Sequence, residues 1–265
     1  MPVIFNSMLG AIRAGLAILV VLSLPAGAAV GADLNQLKRW SETETIRVDH
    51  SQWSAFLERY IDASSSDGVA RIRYGAVTKP DKDALKAYIG SLSGADPTLL
   101  GRDEAFAYWA NLYNALTVDL ILSRYPVASI RNIKPSPIAI GPWKMPATNV
   151  NGVSLSLDDI EHKILRAAFK DARVHYALNC ASIGCPDLRS EAFNGADLDS
   201  ALDAAARAYV NHPRGVRFDG KGKLVVSAIY KWFKEDFGGN DTGVIAHLSR
   251  YADPALAERL KSARR

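Results

Sequence analysis

Residues 103–124 read D-E-A-F-A-Y-W-A-N-L-Y-N-A-L-T-V-D-L-I-L-S-R. Phe106, Trp109, Tyr113, Leu116 and Leu120 recur at spacings of three and four, which paints one apolar stripe along a helix. Asp103 and Glu104 open the segment, where a helix N-terminus favours negative charge, and Tyr125-Pro126 closes it. The segment is apolar nearly all round, so this helix is expected at the centre of the molecule. Asn111 and Asn114 then stand out. They lie one turn apart on one flank, and a buried amide without partners costs about 1–3 kcal/mol.

The surroundings of this helix alternate helices with short strands. Residues 33 to 62 carry apolar anchors (Trp53, Phe56, Leu57, Tyr60) among charges and read as helical, with Ser51 as a cap. The turn Ser64–Gly68 leads into an alternating V-A-R-I-R-Y strand, and Asp81 to Leu92 reads as a further helix. Beyond the central helix, residues 126–155 are rich in Pro and Gly, with a hairpin expected at Asn151-Gly152. Ser156 and Asp159 stand at capping-box spacing before the helix L-D-D-I-E-H-K-I-L-R-A-A-F. Val174, Tyr176 and Leu178 alternate with His175, Ala177 and Asn179 as a strand would. Asp197–Val210 reads as an alanine-rich helix, V-R-F-D-G-K-G-K-L-V-V-S as a hairpin, and A-I-Y-K-W-F-K-E-D-F as a helix ended by Gly238-Gly239. Residues 243–264 look helical, broken at Asp253-Pro254. This order gives an α+β fold, with helices packed around a small, mostly antiparallel sheet.

The first 28 residues have the pattern of a secretory signal peptide. Arg13 is their one charge, A-G-L-A-I-L-V-V-L-S-L-P follows it, and Ala26-Gly27-Ala28 offers a small-x-small cleavage site. The apolar run is short for a span of about 20 residues. Residues 29–265 are then expected as a single α+β domain with an N-terminal helical extension, periplasmic or secreted, with membrane association only if the leading segment is retained. The 265-residue chain is 48% hydrophobic and 23% charged, the balance of a folded domain rather than a disordered one. Its net charge of +4 comes from scattered residues without a basic stripe, which argues against nucleic acid as a partner.

Both cysteines fall in R-V-H-Y-A-L-N-C-A-S-I-G-C-P-D-L-R, residues 173–189. Three readings compete for them. Cys180 at the end of a rigid element can act as a nucleophile, given a base within reach and a group to orient that base. His162 and His175 are the candidate bases. Glu161 or Asp158 could orient His162, Asp158 lying one turn earlier on nearly the same face. Zinc is a second reading by residue type, but His-x12-His-x4-Cys-x4-Cys matches no common finger or ribbon. The third is a disulfide, which an oxidising compartment permits and which would quench Cys180.

Four stretches together resemble the bacterial and plant family called domain of unknown function 547. They are F-A-Y-W-A-N-L-Y-N-A-L-T, L-S-L-D-D-I-E-H-K-I-L-R, V-H-Y-A-L-N-C-A-S-I-G-C-P-D-L-R and V-S-A-I-Y-K-W-F-K-E-D-F, in the family's order from about residue 50 to 240. Tyr108 and Asp187 depart from the family pattern, and neither change touches a candidate polar residue. The resemblance implies a fold similar to papain-like or transglutaminase-like thiol enzymes. It implies Cys180 as nucleophile, His162 as base and then acid, and Glu161 beside it. The family's frequent serine at the place of Cys185 speaks against an essential disulfide and against four-ligand zinc. Asn111, Tyr113, Asn114 and Arg189 match further family positions, where they would line a substrate cleft or brace the central helix; His175 is more variable. The expectation is a thiol-dependent hydrolase or acyltransferase acting on an amide or ester bond of an envelope peptide or protein, without cofactor or metal. The alternatives are a non-catalytic envelope binding module with a Cys180–Cys185 disulfide, or a zinc site.

Overall fold

The computed structural model describes residues 33–43 and 46–263. The leader expected over residues 1–28 lies outside them. The helix α3, Arg102–Leu122, forms where the sequence places it, and its burial is nearly complete around the whole circumference, Asn111 and Asn114 included. A cylinder buried on all sides needs cover from several elements. α1 (Ser51–Tyr60) packs on α2 (Lys79–Gly94), and α2 packs on α3. A second flank of α3 is covered by a π-helix, Asp159–Phe169, and a third by α5, Leu198–Val210. Phe106, Tyr108, Trp109, Leu112 and Tyr113 sit at the middle of this core with Trp53, Tyr88 and Ile164.

Among the described residues the strands form three separate two-stranded antiparallel ribbons. They are β1 (Ile61–Asp62) with β2 (Arg71–Ile72), β3 (Pro146–Val150) with β4 (Val153–Ser156), and β5 (Val216–Phe218) with β6 (Leu224–Val226). Antiparallel pairing is as expected, but the single small sheet is not: strands of two to five residues offer no shared face, and helices supply the cover instead. The β3–β4 turn is the anticipated one, with Asn151 at φ 49° and Gly152 at φ 80°. Ser156 and Asp159 exchange hydrogen bonds through Ser156 Oγ and Asp159 Oδ2, as a shortened capping box should.

Three local expectations need correction. Residues 174–178 are not a strand. They contain the short helix α4, Val174–Ala177, in which all four residues are buried. The Asp171 carboxylate accepts the Arg173 amide at 2.8 Å and turns the chain, and the apparent alternation had no solvent face to report. The N-terminal helix is two pieces, a 3₁₀ turn at Leu34–Lys38 and then α1, whose first residue is Ser51 itself. The helix expected at 228–237 breaks at Phe233 into α6 (Ile229–Trp232) and a 3₁₀ turn, Lys234–Phe237, ended by Gly238 at φ 100°. α7 (Asp241–Tyr251) and α8 (Pro254–Ala263) follow, divided at Asp253-Pro254 as the sequence suggests. Tyr176, Tyr209, Tyr230, Phe237 and Leu248 form a second core joining α4 and α5 to these elements. No helix among the described residues is long and apolar enough to cross a membrane.

Candidate functional site

Cys180 and Cys185 are joined by a disulfide, with the first half-buried and the second buried. The loop between them is held from three sides. Asn179 Nδ2 donates to the Pro186 carbonyl at 2.7 Å, and the Tyr209 hydroxyl donates to the Gly184 carbonyl at 2.6 Å. Arg214 Nη1 donates to the carbonyls of Ile183 and Cys185, both at 3.0 Å, while its Nη2 pairs with Asp187 at 2.9 Å. Cys180 in this bonded form has no thiolate to offer, since nucleophilic sulfur must be free and deprotonated.

His162 sits on the π-helix, a rare geometry that recurs at functional sites. Its Nδ1 is 3.3 Å from Arg166 Nη1 and 3.8 Å from Glu161 Oε1; its Nε2 is 3.9 Å from Asp158 Oδ1. Both acids flank the ring without a hydrogen bond to it, so neither orients it as a triad acid would. No hydrogen bond joins His162 to Cys180 among the described residues. Burial pushes the Glu161 carboxyl up, against the opposing pull of His162 and of the Tyr113 hydroxyl, which donates to its Oε2 at 3.2 Å.

His175 belongs to the same neighbourhood as His162, since both rings lie against Phe233 (centroids 4.3 Å and 5.7 Å away). Its Nε2 is 2.7 Å from Asp236 Oδ2, which also accepts from Arg166 Nε at 2.6 Å. Burial lowers the His175 pKa despite Asp236, so the ring is neutral and donates that hydrogen bond. Burial opposes the charge on Asp236, but the bonds from His175 and Arg166 outweigh it and hold its carboxyl well below the usual range. The Arg166 guanidinium lies over the Phe233 ring at 4.5 Å. The sequence does not single out Arg166, Phe233 or Asp236; Arg166 lies in the I-L-R-A-A-F stretch and the other two in K-W-F-K-E-D-F, and nothing in either announces that Asp236 meets His175.

The remaining candidates are braces. Asn111 Nδ2 donates to the Phe193 carbonyl at 2.8 Å, and its Oδ1 accepts the Phe193 amide at 3.1 Å. Asn114 clasps Ala177 and Asn179 in the same way. Arg189 donates Nη1 to the Ala201 carbonyl at 3.1 Å, with its guanidinium over the Phe193 ring at 5.0 Å. Among the described residues no group of three or more His, Cys, Asp or Glu side chains is placed to hold a metal ion.

A groove of about 350 Å³ opens beside the disulfide loop. Asn179, Ala181, Ser182 and Ile183 form one wall, while Ile72, Tyr74, Ile121, Tyr125 and Val127 stand among the residues of the others. The Tyr74 and Tyr125 rings stack at 6.2 Å. The Tyr74 phenol is half-buried, its partial burial raises its pKa, and its hydroxyl has no hydrogen-bond partner among the described residues. A volume of this size with a mainly apolar lining and a few polar groups is typical of a small-ligand site.

Comparison with known families bears on one segment of the chain. Residues 97–210 match the family described as Protein of unknown function, DUF547. The DUF547 match runs from just before α3 through the β3–β4 hairpin, the π-helix and the disulfide loop to the end of α5. It therefore contains Cys180, Cys185, His162, Glu161, His175, Asn111, Tyr113, Asn114 and Arg189. It stops short of the 226–237 stretch that supplies Phe233 and Asp236. No curated protein and no solved structure matches the chain.

Proposed function

We infer that the chain is a non-catalytic binding module of the cell envelope, locked by the Cys180–Cys185 disulfide, which holds a small, largely apolar ligand in the groove beside that loop. The observation that carries this reading is the groove itself, mainly apolar in its lining, with the Tyr74 hydroxyl at its wall making no hydrogen bond among the described residues. A ligand with one hydrogen-bonding group on an apolar body could bond that hydroxyl while covering the apolar wall. The neutral fluorophore N-phenyl-1-naphthylamine has that chemistry, with two aromatic systems and one N–H. Saturable one-site binding is expected, weakened about five-fold by Tyr74→Phe, the loss of roughly 1 kcal/mol from one hydrogen bond, and abolished by Val127→Trp. No saturable binding, or unchanged binding in Val127→Trp, overturns the reading.

A second reading is favoured by the position of Cys180, half-exposed on the loop whose neighbours Asn179 and Ala181 line the groove. Reduction of the disulfide would free a thiol at that rim. The chain would then be an exported thiol-dependent hydrolase or acyltransferase, similar to papain-like or transglutaminase-like enzymes, with Cys180 attacking an amide or ester carbonyl of an envelope peptide or protein. His162 would serve as base and Glu161 as its partner, which requires the His162 ring to come within hydrogen-bond reach of the freed sulfur. Labelling of reduced protein by an electrophilic thiol probe should then disappear in Cys180→Ala; labelling that moves wholly to Cys185 contradicts the assignment.

A further inference from the structure

The segment 131–144, R-N-I-K-P-S-P-I-A-I-G-P-W-K, projects two apolar side chains into solvent. Ile138 is 93% exposed and Ile140 70%. Two large apolar side chains at such exposure, two residues apart, give the loop a small apolar projection.

The loop is built, not loose. Trp143 packs into the core at its base, and Gly141, at φ 72°, lies so close to that indole that a Cβ there would stand 2.0 Å from its Cζ3. The Trp143 carbonyl accepts the Asp158 amide at 2.9 Å. Lys134 Nζ donates to the Pro137 carbonyl at 3.0 Å, and Pro135, Pro137 and Pro142 stiffen the tip.

The loop's own charges have one sign. No acid occurs between Asp119 and Asp158, a stretch that contains Arg124, Arg131, Lys134 and Lys144. All four cations are exposed, and none is in an ion pair among the described residues. An apolar tip on a segment whose exposed charges are all cationic suits a layered target with anionic groups outside and hydrocarbon beneath.

We propose that loop 131–144 docks on an anionic lipid bilayer, with Ile138 and Ile140 entering the boundary between headgroups and acyl chains while Arg131, Lys134 and Lys144 face lipid phosphates. The chemistry is that of interfacial proteins: a little apolar insertion added to attraction by the surface potential. Binding of this size is reversible and weakens with salt. It needs no contribution from the apolar N-terminal segment, and it is independent of the groove's ligand.

The test is sedimentation of the full chain with vesicles of phosphatidylcholine alone and of phosphatidylcholine mixed with phosphatidylglycerol. The mixed vesicles are expected to bind more protein, less so as salt rises. The double variants Ile138→Ser/Ile140→Ser and Lys134→Glu/Lys144→Glu should each lower that partition about ten-fold or more, as expected from the per-residue contributions of buried apolar groups and surface cations. All four positions are exposed, so unchanged melting temperatures will show that folding is intact. Unchanged partition in both variants overturns the proposal, because the N-terminal segment or another surface would then be the anchor. Equal binding to neutral and anionic vesicles, or no binding to either, also overturns it, the last result pointing to a protein as the cover of this loop.

Discussion

Asn114 on α3 clasps the chain just before Cys180: its Nδ2 donates to the Ala177 carbonyl at 2.8 Å, and its Oδ1 accepts the Asn179 amide at 2.9 Å. One amide thus satisfies two backbone groups and ties the start of the disulfide loop to the most buried helix of the fold. Asn114→Ala should leave both groups unpaired and lower stability by roughly 2–4 kcal/mol. The denaturant midpoint checks this, and a drop below about 1 kcal/mol would mean that water or a local shift takes over the bonds.

Glu104 plays a comparable role in the first turn of α3. Its carboxylate accepts the Val48 amide at 2.8 Å through Oε1 and the Gly195 amide at 2.9 Å through Oε2. A Cβ at Gly195 would stand 2.6 Å from that Oε2 and 2.8 Å from the Glu104 amide nitrogen. Gly195→Ala should therefore cost about 1–3 kcal/mol, the usual range for forced overpacking. A thermal melt is sufficient, and an unchanged midpoint would show that the 194–196 turn can yield.

Stability should fall on acidification from about pH 6.5. Burial, with Arg250 nearby, lowers the His247 pKa from 6.5 to about 4, where the ring lies among Tyr176, Phe237 and Tyr251. Between those values the unfolded chain binds a proton that the folded chain refuses, so folding weakens as pH drops. His50 and His175 are displaced the same way, chiefly by burial. The raised Glu161 acts in the opposite sense, favouring the fold where its carboxyl stays protonated. The His247 share is on the order of 2 kcal/mol after allowance for its partial solvent contact. Denaturant midpoints between pH 7 and pH 4.5 should decline less steeply in His247→Gln; parallel curves would contradict the assignment.

The central helix was the most legible part of the fold, because a stripe of Phe106, Trp109 and Tyr113 flanked by alanines can pack only inside. Capping chemistry at Ser156 and turn chemistry at Asn151-Gly152 were equally readable, being local. The helix α4 was not. Its residues are buried on every side, so a period of two had no polar face to confirm it. The site was least legible where it depends on long-range contacts. The meeting of His175 with Asp236, 61 residues away, leaves no trace in either segment. Tyr74 lies in a stretch that reads only as a strand end, and its place in the groove follows from the packing of Tyr125 against it.

The locked form of the proposed binding module depends on the bond between Cys180 and Cys185. Alkylation of the unfolded, unreduced protein followed by intact mass measurement addresses it directly. No alkyl group is expected before reduction and two after it. Two groups on the unreduced protein, with Cys180 among the residues modified, would contradict the locked module and return the first cysteine to the role of nucleophile.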